Sequence, residues 1–459
     1  MNAFFCKINN PAAFSGIFTP QCELRRQMMY TVSDVLEYVQ EEDVKFVRLA
    51  FFDLRGVQKN ISIMAGQLES AFQNGVSFDA SAIYGFETPE KSDLFLHPDP
   101  ATLSVLPWRP NTGKVVRMFC TISHPDGTPY KKDCRTLLLN AEKKARKEYG
   151  VEFSFGTEIE FYLFKLDENG EPTKVPFDNA SYMDIAPEDK GENIRREICF
   201  TLEQMGMQPE SSHHEEGPGQ NEIDFHHSDA LTAADNAATF KWIVRTRAAS
   251  AGLYADFSPK PLANKPGSGF HINISCSDSS KKRNVLAGIL KHARELTYYM
   301  NCTEASYDRL GSYKAPLYIA WGHENRSAFI RVPSITNDGA SRLEIRTPDS
   351  ECNVYIVFTL LIYAALDGIK NNLEPPEEVR ENLFDCTAGK GAGFGFTIAA
   401  GSSAGSGSSS GARGAVNTTG ASSTAAGTNL AELATLPDTL DSAREIAQNS
   451  QFIKDALGF

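Results

Sequence analysis

The nine cysteines of this 459-residue chain form no Cys-x-x-Cys pair, and their odd, scattered number argues against a structural zinc site or a disulfide framework. Reduced thiols in a cytoplasmic protein are the expectation. No apolar run is long enough to span a bilayer; the longest, Val354 to Leu366, suits a buried helix. Positive charge is also short. The formal net charge is -13 and the pI about 5.3, so the chain lacks the basic footprint that nucleic acid or an anionic membrane requires. Neither a Gly-x-x-x-x-Gly-Lys-Ser/Thr loop nor a dinucleotide fingerprint occurs, so a nucleotide has to be held by some other surface. The first 28 residues have no charged segment followed by an adequate apolar stretch and do not read as a secretory signal; a poorly packed extension, 1–28, is expected.

With 41% hydrophobic and 22% charged residues, the chain has a globular composition and length for two or three domains. Helical spacing over Thr31 to Glu42, with Ser33 as cap, is followed by strands at Val44 to Asp53 and Val57 to Ile63 across an Asp53–Gly56 turn, and at Val115 to Ile122. These predict a small α+β domain over 29–130. Asp79 sits in a small-residue loop within it, where an aspartate is most often a turn former. The turn-rich stretch His124 to Pro129 marks the boundary to a larger domain, 131–459. From Gly389 to Thr428 that domain is interrupted by Gly, Ala, Ser and Thr, which bury too little apolar area to offset backbone entropy and predict a flexible insertion. A short helical close follows from Leu430 to Leu457.

The most informative stretch is Phe153 to Phe164, which alternates with period two. Phe153, Phe155, Ile159, Phe161 and Leu163 share one face. Glu158 and Glu160 project together from the other, and like charges so placed persist only beneath a cation or basic side chains. A solvated outer sheet face is the plain alternative. Three later stretches repeat the pattern: Glu222, Asp224 and His226 opposite Ile223 and Phe225; His271, Asn273 and Ser275 opposite Phe270, Ile272 and Ile274; Arg342, Glu344 and Arg346 opposite Leu343 and Ile345. In one sheet, with helices such as Ala234 to Leu253 and Asn353 to Asn372 on the greasy face, the ionisable face would line a cavity.

Glu158, Glu160, Glu215, Glu222 and Glu344 with His271 make an oxygen-rich set suited to Mg²⁺ or Mn²⁺, and their number implies two or more ions. Around them lie Arg309, Arg326, Arg331, Arg342 and Arg346, and arginines converging with Mg²⁺ suit phosphoryl transfer. Each piece also has an ordinary explanation: His213 and His214 as surface histidines, Asn325-Arg326-Ser327 as a turn with a salt bridge, Asp224 and His226 as a strand end.

The joint pattern resembles type I glutamine synthetase from about Met29 to Asn372. Gly156-Thr-Glu-Ile-Glu-Phe161, His213-His-Glu-Glu-Gly-Pro-Gly-Gln-Asn-Glu-Ile-Asp-Phe225, Gly267-Ser-Gly-Phe-His271, Asn325-Arg-Ser-Ala-Phe-Ile-Arg-Val-Pro333 and Arg342-Leu-Glu-Ile-Arg346 are similar to that family's motifs and stand in its order. The resemblance implies a β-grasp-like first domain and a catalytic domain with a curved, mainly antiparallel sheet backed by helices. It implies one ion on Glu160, Glu215 and Glu222 and a second, bridging ATP phosphates, on Glu158, His271 and Glu344. It assigns Arg309 to the glutamate α-carboxylate, Arg326, Arg331 and Arg346 to the transferred phosphoryl group, and Glu210, Asn273, Ser275 and Arg342 to the nucleotide. Gly267, Tyr182 and Lys314 fall in the substrate pocket, and Asp79 reaches an ammonium pocket from a neighbouring subunit. Rings stacked as a dodecamer are implied.

The chain departs from that family at the amine side. Ser312-Tyr-Lys-Ala-Pro316 stands where relatives have Gly-Tyr-Glu-Ala-Pro, so a lysine replaces the flap carboxylate that takes a proton from ammonium. Pro266, Asn273 and Ala82 replace an asparagine, a histidine and a serine, Phe384 approximates the adenylylated tyrosine, and much of the C-terminal tail is missing. Three readings follow: a glutamate–ammonia ligase acting through an acyl phosphate, a relative using another amine or carboxylate, and a catalytically weak structural or regulatory homologue.

Overall fold

The computed structural model describes residues 30–334, 342–384 and 433–459; the expected extension and Gly/Ser-rich insertion lie outside them. Thr31, not Ser33, caps α1 (Val32–Glu41), because Thr31 is extended while Ser33 already lies inside the helix. Its hydroxyl accepts from the Asp34 N–H at 3.2 Å and the Asp34 carboxylate accepts from the Thr31 N–H at 2.7 Å, a reciprocal capping box. Then follow β1 (Val44–Phe52), β2 (Gln58–Met64), α2 (Leu68–Asn74), β3 (Val76–Asp79), β4 (Asp93–Pro98), β5 (Ser104–Val105) and β6 (Lys114–Ser123). They form one sheet in the order β2-β1-β6-β4-β3, with β5 also on β6, and only β1 and β6 run parallel.

The rest builds a curled second sheet. After α3 (Cys134–Lys144) come β7 (Phe153–Leu166), β8 (Pro172–Pro176), α4 (Glu192–Gln204), β9 (Pro209–His214), β10 (Gln220–Phe225), β11 (Ser228–Asp229), α5 (Ala230–Ser250), β12 (Leu253–Asp256) and β13 (Phe270–Cys276). Next are α6 (Lys282–Lys291), α7 (Ala293–Met300), α8 (Glu304–Arg309), β14 (Trp321–His323), β15 (Ile330–Val332), β16 (Leu343–Ile345), α9 (Val354–Lys370), α10 (Leu440–Asn449) and α11 (Gln451–Leu457). The strand order is β14-β15-β16-β13-β7-β10-β9, antiparallel except for β14 on β15, and β8, β11 and β12 also pair with β7. All four alternating stretches therefore share one sheet. As expected, α5 and α9 cover its apolar face: Phe155 stacks on Phe358 at 4.2 Å and Phe161 meets Phe240 edge-on at 6.0 Å.

Helices α6 and α9 approach backbone to backbone behind that face. A methyl at Gly368 would lie 2.0 Å from the Asn284 carbonyl oxygen, and one at Gly288 2.1 Å from that of Ala364. Gly368→Ala should lower stability by about 3 kcal/mol, since neither backbone can yield without parting the helices. A urea titration checks this against Gly66→Ala, where a methyl meets nothing within 4 Å.

Candidate active site

The polar face of β7 presents Tyr162, Glu160, Glu158, Gly156 and Ser154 in turn, and strand register lays a row of side chains across each. Beside Glu160 stands Glu222, and beyond it His213. Glu158 lies between Asp224 and His271. Gly156 pairs with Asn273, whose row continues to Glu344 and Arg331. Ser275 is opposite Ser154. This face is not solvated, because Glu160 is 9%, Glu222 7% and Glu344 0% exposed.

Among the described residues four groups have metal-ligating atoms within 4.8 Å of one another: Glu158, His271 and Glu344; Glu160, Glu222 and His271; His213, Glu215 and Glu222; and Asp178, Asp189 and His214. The first matches the expected second-ion set. Of the expected first-ion set, Glu160 and Glu215 each group with Glu222, joined by His271 and by His213, a residue first read as a surface histidine. His213 Nε2 lies 3.1 Å from Glu215 and 3.8 Å from Glu222.

The two ends of the face differ in electrostatics. At the Glu158 end, burial alone would raise the carboxylates. Instead His271, with Asn273 and Arg346, holds Glu158 down to about 2, and Arg346, with His271 and Arg331, keeps Glu344 below its usual value. Both Arg346 and Arg331 bond Glu344 directly. At the other end burial and the Glu215 charge raise Glu160, while burial with Asp224, Glu160, Glu158 and Glu215 pushes Glu222 well above the carboxylate range. Arg309 offsets part of this at Glu160, but no arginine forms an ion pair with Glu160, Glu215 or Glu222 among the described residues, and carboxylates converging so in a dry site are a donor set that fits a divalent cation.

Glu160 is held in place by donors to one oxygen, the Gly269 N–H at 2.8 Å and Gln220 Nε2 at 2.9 Å. Gln220 also donates to the Gly267 carbonyl at 3.1 Å. Arg309 is 3% exposed and donates to the carbonyls of Thr347 at 2.7 Å and Arg346 at 3.3 Å. A methyl at Gly269 would sit 2.9 Å from His271 Nε2, 3.0 Å from Arg309 Nη2 and 3.2 Å from Glu160 Oε1. Gly269→Ala should therefore cut turnover about 100-fold through misplacement of all three side chains. Steady-state rates with a melting curve check it; activity within twofold of the parent would contradict it.

Arg331 Nε is buried with no hydrogen-bond partner among the described residues, a donor free for an anion. Arg326 is exposed at the mouth, its carbonyl accepting from Arg346 Nε at 3.1 Å, and Arg342 Nε donates to Asn273 Oδ1 at 3.0 Å. Asn325 indeed makes a turn, accepting from the Ser327 N–H at 3.0 Å. Glu210 is exposed on β9 beyond Asp224, 3.9 Å from His226. Tyr182 meets the edge of His213 at 5.4 Å. Lys314 bonds Glu216. Asp79 is not brought to this group: it ends β3 in the other sheet, where its carboxylate accepts from the Ser81 N–H at 2.9 Å.

Gln220 and the Asp178–His214 pair were not singled out in the sequence. His214 is fully buried rather than on the surface, with Nδ1 2.6 Å from the Glu215 carbonyl and Nε2 2.9 Å from Asp178. Both partners are acceptors, an arrangement that favours a proton on each ring nitrogen; burial opposes that charge, and Asp178 raises the His214 pKa nonetheless. Asp178 also accepts from the N–H groups of Gly219 at 2.9 Å and Lys190 at 3.0 Å, tying the Tyr182 loop to the Glu215 turn. The one available signal was Gln220 itself, a polar residue two positions before Glu222 on an alternating strand.

Residues 131–394 match the glutamine synthetase catalytic domain profile, and residues 43–125 match the glutamine synthetase β-grasp domain profile. Glutamine synthetase of Methanosarcina mazei is 46% identical over 370 residues, 77% of this chain and 82% of that protein. That of Clostridium saccharobutylicum is 45% identical over 374 residues, 78% of this chain and 84% of its own. Among solved structures, GmaS in complex with ADP superposes with a TM-score of 0.76 at 25% identity, covering 93% of this chain and 92% of that one. Plasmodium falciparum glutamine synthetase gives a TM-score of 0.74 at 23% identity, covering 94% and 95%.

Proposed function

Because this chain belongs to the glutamine synthetase family, we propose that the polar face of β7 and its neighbours carries the family's reaction, the ATP-dependent joining of glutamate to ammonia. The glutamate γ-carboxylate attacks the ATP γ-phosphorus, ADP leaves, and ammonia then displaces phosphate from the acyl phosphate with loss of a proton. The distribution of charge along the face carries this reading: Arg346 and Arg331 pair with Glu344 at one end, while at the other Glu160, Glu215 and Glu222 converge with no arginine ion pair among the described residues.

We assign one divalent ion to Glu160, Glu215 and Glu222, with His213 beside them, and a second to Glu158, His271 and Glu344. Mg²⁺ or Mn²⁺ suits these donors, and when bound neutralises phosphate charge and polarises the transferring group. Arg326, Arg331 and Arg346 stabilise the phosphoryl oxygens, and the unpartnered Arg331 Nε supports that role. Arg309 orients the glutamate α-carboxylate beside Gly267 and Gly269. Glu210, Asn273, Ser275 and Arg342, at the Glu158 end, hold the nucleotide. Tyr182 and Lys314 border the amine side, and Asp79 serves a neighbouring subunit's site in a ring, with rings stacked as a dodecamer. We take 29–130 and 131–459 as the two domains and the cytoplasm as the compartment; no described helix is long and apolar enough to cross a membrane.

Phosphate release by purified protein with ATP, Mg²⁺ and glutamate should depend on ammonium. Release only with a different amine or carboxylate, or none with any pair, would overturn the reading.

A further inference from the structure

Near Arg309 lies a carboxylate to which the proposed reaction gives no role. Asp349 is fully buried, as are Asn301, Ser306 and Thr347, and burial raises its carboxyl to about 6 against the opposing charge of Arg309. Yet Asp349 and Arg309 make no direct bond among the described residues: the guanidinium donates to the carbonyls of Thr347 and Arg346, which carry no charge. A buried guanidinium bonded to neutral carbonyls still lacks a counter-charge in contact with it, and a substrate carboxylate supplies one.

Asp349 bonds the groups that fix Arg309 in place. One of its oxygens accepts from Asn301 Nδ2 at 3.0 Å, and the same amide nitrogen donates at 2.8 Å to the Thr347 carbonyl, the acceptor of Arg309 Nη1. The other oxygen accepts from the Glu351 N–H at 3.1 Å. The Ser306 hydroxyl, three residues before Arg309 on α8, also bonds the carboxylate. The backbone of Asp349 pairs with Gly269, whose N–H holds Glu160. One side chain thereby joins α8 and the 347–351 segment, and its backbone joins both to the Gly269 turn.

Building on the ligase reading, we propose that Asp349 is a positioning residue that, through Asn301 and Ser306, aims the Arg309 guanidinium at the α-carboxylate of the substrate. Asp349→Asn sets an amide N–H against at least one group that is itself a donor, so the segment has to shift and Arg309 with it. Charge alone predicts the opposite sign, because removing a nearby carboxylate strengthens the pull of Arg309 on an anion.

The test compares KM for glutamate, KM for ATP and kcat, with melting curves, in the Mg²⁺-loaded parent, Asp349→Asn, Asn301→Ala, Arg309→Lys and the double variant of Asp349→Asn with Arg309→Lys. Asp349→Asn should raise KM for glutamate about 30-fold while KM for ATP and kcat stay within about threefold. Asn301→Ala, which leaves the Asp349 charge in place, should raise it about tenfold, and it decides the matter if Asp349→Asn does not fold. The double variant should have a kcat/KM for glutamate no lower than Arg309→Lys alone, since the effect of Asp349 runs through Arg309. A KM for glutamate that falls or does not move, an equal rise in KM for ATP, a loss in kcat alone, or a full Asp349→Asn penalty added to that of Arg309→Lys would overturn the proposal and leave the ligase reading standing. A parent that releases no phosphate with glutamate would overturn the ligase reading, and this inference with it.

Discussion

Glu222→Gln should abolish ligase turnover and at the same time stabilise the metal-free protein. Glu222 is buried among Glu160, Glu215, Asp224 and Glu158, whose charges raise its pKa. A carboxyl whose folded pKa lies above its unfolded value of about 4.3 contributes stability that is complete below that unfolded value and lost as pH rises through the folded one. The amide removes that loss. Expected are a gain on the order of 1 kcal/mol near neutral pH, a fall in kcat/KM of about 1000-fold or more, and less stabilisation by added Mg²⁺ or Mn²⁺ than in the parent. Melting curves with and without metal, alongside phosphate release, check all three. A variant that keeps its turnover, or that melts lower without metal, would refute the account of this end of the site.

Glu344→Gln should also abolish turnover, but with the opposite effect on stability. Its carboxylate is fully buried and bonded by both Arg346 and Arg331. Neutralising it leaves two guanidinium groups without their counter-charge, so a loss of about 3–5 kcal/mol is expected. The sign with pH is reversed as well: a depressed folded pKa means the parent has this stability above the unfolded value and loses it as pH falls through the folded one. Denaturant titration at neutral and acidic pH should show the gap between parent and variant closing as the medium becomes more acidic. A gap that stays constant would refute the ion-pair account. The two substitutions make the same chemical change on two rows of one sheet, so opposite signs cannot come from strand propensity or helix packing.

Much of this was legible before any coordinates. Phe153 to Phe164 had to bury one face, and three later stretches repeated its alternation, so the membership of the polar face followed from period alone. Residues at the ends of strands were read less well. His213 and His214 differ by one position, yet one enters the carboxylate group and the other is buried against Asp178, bracing the Tyr182 loop. Gln220 passed unremarked because an amide carries no charge to draw attention, although it fixes Glu160. Ser33 suits a cap by residue type, but residue type alone cannot say where the helical dihedrals begin, and Thr31 fills that place.

Alternation, a local property of consecutive residues, determined that Glu158 and Glu160 point the same way, and the oxygen-rich company they keep determined the kind of cation they suit. Only the tertiary structure decided how charge is divided among them. Arg346 and Arg331 come to Glu344 and not to Glu222 because strand register, set by packing of the opposite apolar face, puts β16 and β15 on one side of β13 and leaves β10 on the other side of β7. The same holds for Lys314 and Glu216, 98 residues apart, whose meeting depends on a left-handed turn that no spacing rule foretells.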